Sequence, residues 1–180
     1  MKMEYPWYTV IENTDELLQG DLVPECPIVI PPASVKEDEN PVVEIKLIDS
    51  IVLSKSCDLT NDNVEIVLVC PYYSLKTFLS SLPSDKTSTN KAVTKTIDNL
   101  RKGFFPSYHL LDKYDTFIHD YQVVGFRNVY GIQYETLKNI CKNIKVRIRL
   151  LPPYREHLSQ SFARYFMRVG LPQDIKIEGY

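Results

Sequence analysis

The chain has 180 residues, 44% hydrophobic and 24% charged, with 12 Pro, 12 Tyr, 6 Gly and a formal net charge of −2. A chain of this length buries roughly 70% of its unfolded surface as one domain, so it needs no staples to fold. The near-neutral balance argues against a dedicated, globally basic nucleic-acid binder, and no apolar run approaches the roughly 18 residues of a membrane-spanning helix.

The small net charge hides a split. Residues 1–90 carry 6 Lys and Arg against 15 Asp and Glu, and residues 91–180 carry 15 against 8. Such a dipolar chain either neutralises itself within one fold or offers its basic half to an anion. The four cysteines, Cys26, Cys57, Cys70 and Cys141, form no CxxC pair, and the opening MKMEYPWYTV has no apolar leader run. A cytoplasmic chain with reduced thiols is expected.

In chain order, residues 7–12 are short and β-branched and read as a strand. LLQGDLV places a turn or bulge at Gly20-Asp21, and 26–30 is a further apolar piece closed by Pro31-Pro32. Residues 34–41 are a polar, acidic loop. The stretch 42–53 is a long strand or two with a bend at Asp49-Ser50, 54–63 is a break rich in cap and turn residues, and 64–70 reads as a buried strand ended by Pro71. Helical spacing returns at Leu75, Phe78, Leu79 and Leu82, and a short helix over 92–101 ends at Gly103. Strands follow at 108–111, 121–128 and 130–134, then a helix over 135–142. IKVRIRLL alternates apolar residues with Lys145, Arg147 and Arg149, which predicts a half-buried strand with a row of cations outside. The helix expected over 154–170 puts Tyr154, Leu158, Phe162, Tyr165, Phe166 and Val169 on an apolar face and His157, Ser161, Arg164 and Arg168 on a polar one, stopped by Gly170 and Pro172.

Three sets of residues could carry chemistry. Cys57-Asp58 in the SKSCDLTND segment, with His157 or His109 as base, would make a thiol nucleophile, although a buried packing cysteine beside a turn-forming aspartate explains the same residues. Convergence of Cys26, Cys57, Cys70 and His109 would suit zinc, and Asp21, Asp58 and Glu156 a hard cation, but the spacing specifies neither and no metal is expected. With no GxGxxG or Walker pattern, no cofactor is expected. The third set is basic: Arg147, Arg149, Arg155, Arg164 and Arg168 with Arg127 and His157, interleaved with Tyr108, Tyr130 and Tyr165. Cations with stacking partners suit RNA or single-stranded DNA. The helix dipole and pairing with the acidic half explain the same cations without a ligand.

Two resemblances follow from the motifs. LLQGDLV with CPIV, IVLSKSCDLTN, VLVCPYYSL and PPYREHLSQSFARYFMRVGLP resemble a group of uncharacterised bacterial and phage-associated proteins, which implies no activity. Gly20-Asp21-Leu22-Val23, SIVLS, Asn61 and Val67-Leu68-Val69 before Pro71 are similar to the strand order of PemK/MazF-type ribonuclease toxins. That resemblance implies a small SH3-like barrel. The family's arginine falls at Asp49-Ser50 and its threonine near Tyr73, so ribonuclease activity is not implied with it. The expectation is therefore one α+β domain over 1–180. It has a barrel-like antiparallel core from 7–72 and 108–151, a helical insertion at 74–103 and a long C-terminal packing helix. The function expected is that of a nucleic-acid-interacting, toxin-like or phage-defence-associated accessory protein. The alternatives are an enzyme at Cys57-Asp58 and an adaptor or inhibitor with a protein partner. A membrane partner is not expected.

Overall fold

The computed structural model describes residues 5–12, 14, 16–34, 42–61, 63–114 and 116–167. Eight strands are described: β1 (Tyr8–Glu12), β2 (Asp21–Ile30), β3 (Glu44–Val52), β4 (Ile66–Ser74), β5 (Tyr108–Leu111), β6 (Gln122–Gly125), β7 (Tyr130–Gln133) and β8 (Val146–Leu150). They form one antiparallel sheet in the order β1-β8-β2-β3-β4-β6-β5, with β7 on β4. The helices are α1 (Ser56–Thr60), α2 (Leu75–Ser80), α3 (Asn90–Arg101), α4 (Tyr134–Asn143) and α5 (Tyr154–Phe166). The α+β class is thus as expected. The sheet is open: among the described residues no ladder joins β1 to β5, so the closed barrel is not formed. It curls instead. Tyr8, Leu22, Ile51, Cys70, Leu111, Val124 and Leu150, from seven strands, share one core with Leu158 of α5. The Tyr8 hydroxyl donates to the Asp112 carbonyl at 2.6 Å, bridging the two edges.

The second core lies on the other face. Leu137 and Cys141 of α4, Leu59 of α1 and Leu17 pack there on Val23, Val52, Val67 and Val69. A third cluster joins α2 and α3 to β6 through Leu75, Phe78, Leu100 and Val123. Ser74 and Thr89 cap α2 and α3, each accepting a backbone N–H three residues on at 3.1 Å.

Several local expectations change. The pieces 17–23 and 26–30 are joined in β2, whose register slips between Val23 and Cys26 where Glu25 takes φ 48°. The SCDLT segment is a helical turn, not a loop. Pro71 does not end β4; it sits opposite Ser50 of β3 and, on the other edge, falls between the stretch paired with β7 and the stretch paired with β6. Gly20 has φ 86°, and a Cβ there would sit 3.0 Å from that of Leu150, so only glycine threads between β3 and β8.

The far halves of β2 and β3, Cys26 to Ile30 and Glu44 to Ile48, pair only with each other. Val29 opposes Ile45, and these two with Leu47 remain 58–64% exposed on one side of that ribbon. No helix among the described residues is long and apolar enough to cross a membrane.

Candidate functional site

β5 positions the central residue of the site. Alternation turns His109 and Leu111 inward and leaves Tyr108 and Leu110 half-buried on the other face. The His109 ring lies 6.4 Å from Phe126 and 4.9 Å, edge-on, from His157 of α5. Burial, with the neighbouring His157 as a second cause, lowers the His109 pKa from 6.5 to about 3, so the imidazole is neutral. Its Nε2 is buried and has no hydrogen-bond partner among the described residues. Such groups are rare in folded proteins.

On α5, His157, Ser161 and Arg164 recur at helical spacing and face the same pocket. The opposite wall is the end of α3, Leu100 to Gly103, with Pro106 and Tyr108, enclosing about 100 Å³. Arg101 and Lys102 pair with Asp98 at 2.9 and 2.5 Å. These are exposed pairs of small net strength, readily exchanged for another anion. The Arg127 guanidinium lies over the Tyr108 ring at 5.5 Å. The pocket therefore combines four cationic side chains at or near its rim with two imidazoles. That constellation has the charge and the N–H donors that would suit an oxyanion such as phosphate.

Arg147 and Arg149 do not join it. The strand is flanked on its polar side by Thr14, Glu16 and Asp21, which leaves the two arginines only 2% and 7% exposed. Arg147 donates to the carbonyls of Thr14 and Glu16 at 2.9 and 2.5 Å. Arg149 holds the buried Asp21 carboxylate through two nitrogens and the Glu16 carboxylate at 2.8 Å. Burial opposes its charge, but the hydrogen bonds to Asp21 and Glu16 raise its pKa above the ordinary value. Of the expected outer row of cations, Arg147 and Arg149 form a buried ion cluster, closed to nucleic acid, and Lys145 alone stays exposed. Arg155 is turned onto the Glu156 carboxylate at 2.7 Å, and Arg168, Val169, Gly170 and Pro172 lie outside the described residues. Phe166 was expected in the apolar face but is exposed. Tyr165 packs on Phe126 and Tyr130 on the second core, which leaves Tyr108 as the one proposed stacking residue at the pocket.

Cys57 is exposed on α1, and its Sγ lies 3.6 Å from Asp58 Oδ1. Asp58 lines a groove with Ser159, Phe162 and Ala163 of α5, while His157 lines the basic pocket. His157 and Ser159 point about 200° apart around the helix. The structure thus sets His157 against His109 and not beside Cys57-Asp58. Cys26 and Cys70 sit in different cores and Cys57 at the surface, so the suggested zinc quartet with His109 does not converge. Among the described residues no group of three or more His, Cys, Asp or Glu is arranged to hold a metal ion.

No protein-family model matches this chain, and no curated protein matches it significantly. The histidine pair and the Arg101-Lys102 rim are the parts that sequence reasoning missed as a unit. Their only signals were the inward register of His109 in YHLL and the RKG that ends α3.

Proposed function

We propose that this protein binds single-stranded nucleic acid, RNA or DNA, through the face around the His109–His157 pocket, as an accessory protein of toxin-like or phage-defence character. The convergence of Arg101, Lys102, Arg164 and His157 on one pocket carries this reading, with Arg127 over Tyr108 beside it. Arginine and lysine neutralise phosphates, and an aromatic ring offers a stacking face. The second reading, a protein partner, rests on the exposed Val29, Ile45 and Leu47 of the β2–β3 ribbon.

Anisotropy titrations of labelled 12-mer RNA and DNA strands across salt concentrations test the first reading. Affinity should fall with salt, with a log–log slope of roughly −0.7 per phosphate neutralised. Arg164→Ala and the double replacement of Arg101 and Lys102 by Ala should weaken binding and flatten that slope. Salt-independent binding, or affinity unmoved by these changes, would sink the proposal.

A further inference from the structure

A second pocket is lined by residues of the same two segments, α5 and 108–114, as the basic one. It encloses about 420 Å³ between Tyr5, Trp7, Tyr8, Tyr114 and Tyr154, with Asp112 and Lys113 at its edge. Trp7 and Tyr154 stack with centroids 3.7 Å apart and planes 9° apart, and Tyr114 lies 5.8 Å from Tyr8 and 5.7 Å from Phe117. The two pockets draw different residues from the same two segments. Tyr154 of α5 meets Asp112, Lys113 and Tyr114 in the aromatic pocket, while His157, Ser161 and Arg164 meet Tyr108, His109 and Leu110 in the basic one. Thus α5 and the 108–114 segment run in opposite directions beside each other. Ser161 lies seven positions beyond Tyr154 on the helix, a rise of about 10 Å.

Chemistry sorts the two ends. Cations cluster at one, suited to phosphate. At the other stand aromatic rings with one carboxylate and one lysine at the edge, Asp112 and Lys113, so this end has no cluster of cations and suits a flat, uncharged ring. We propose that the aromatic pocket is a stacking subsite for a nucleobase of the strand whose phosphate occupies the basic pocket. This rests on the nucleic-acid reading above and adds where a base is held.

Trp7 is the chain's one tryptophan, so its emission reports on this pocket alone. The probes are a labelled dT 12-mer and an abasic deoxyribose-phosphate 12-mer, followed by anisotropy and by Trp7 fluorescence together. Both should bind with salt dependence, but only dT should quench Trp7. Tyr5→Ala and Tyr114→Ala should each weaken dT binding about tenfold, the worth of roughly one stacked base. They should leave abasic binding unchanged, which shows that the fold is intact; Tyr5 is half exposed, so its variant keeps the test usable if Tyr114→Ala misfolds. If both strands bind equally and Trp7 emission does not move, the base subsite is overturned while the nucleic-acid reading stands. If neither strand binds, both readings fall.

Discussion

His109 carries a proton balance that differs between the folded and unfolded chain. Its pKa is about 3 in the fold, where burial beside His157 disfavours the charged ring, against 6.5 for the free side chain. Between those values the unfolded chain binds the extra proton. Stability from this residue is therefore complete above pH 6.5 and is lost as pH falls toward 3, by at most about 1.4 kcal/mol per pH unit. Urea denaturation at pH 7, 6, 5 and 4 should show a steeper loss for the native chain than for His109→Phe; parallel profiles would show that the imidazole is not held neutral. The arginines of β8 teach a separate lesson. IKVRIRLL announced a strand through its alternation, and β8 is that strand. Alternation identifies two faces but not what lies over each. Thr14, Glu16 and Asp21 lie over the arginines, and the Asp21 and Glu16 carboxylates meet the charges there.

At the scale of elements, α5 brings the two parts of the candidate site together. Its sequence showed both stripes, and the structure uses both: Leu158 is fully buried, with Phe162 and Tyr165 packed beside it, while His157, Ser161 and Arg164 face the pocket. The partner of His157 was not legible, because the pair depends on how α5 docks on a strand 48 positions away. Leu158→Ala should cost about 2–5 kcal/mol, as for other buried leucines. Because Leu158 fixes the helix on the sheet, the same change should weaken nucleic-acid binding at temperatures where the protein remains folded. Calorimetry and an anisotropy titration of this variant measure the two effects separately. Binding equal to that of the native chain would show that the pocket does not depend on the seating of α5. The α1 turn was missed for a different reason. SCDLT is too short to display a helical period, and Ser, Asp and Thr are as common in turns.

Over the whole molecule, most strands were legible from apolar patterning, and the order in which they pair was not. The curl of the sheet depends on β8 inserting between β1 and β2, a contact no local pattern encodes. The Tyr8 hydroxyl then spans the open edge to Asp112, and burial holds that phenol far above its ordinary pKa. Tyr8→Phe removes the bridge and leaves a part-buried carbonyl unmatched, at a cost of about 1–3 kcal/mol. A urea midpoint indistinguishable from that of the native chain would show that the two edges need no such tie.

The placement of β8 also sets a timetable. Asp21 waits for Arg149, 128 positions downstream, and β1 waits for the same strand. Until that stretch leaves the ribosome, a carboxylate destined for the interior stays in water and β1 lacks its neighbour. Pairings of this span are slow, because a long loop must close before any contact rewards it. The growing chain can assemble the β2–β3–β4 hairpins early, but its sheet is completed late, when β8 slides between two strands made long before it.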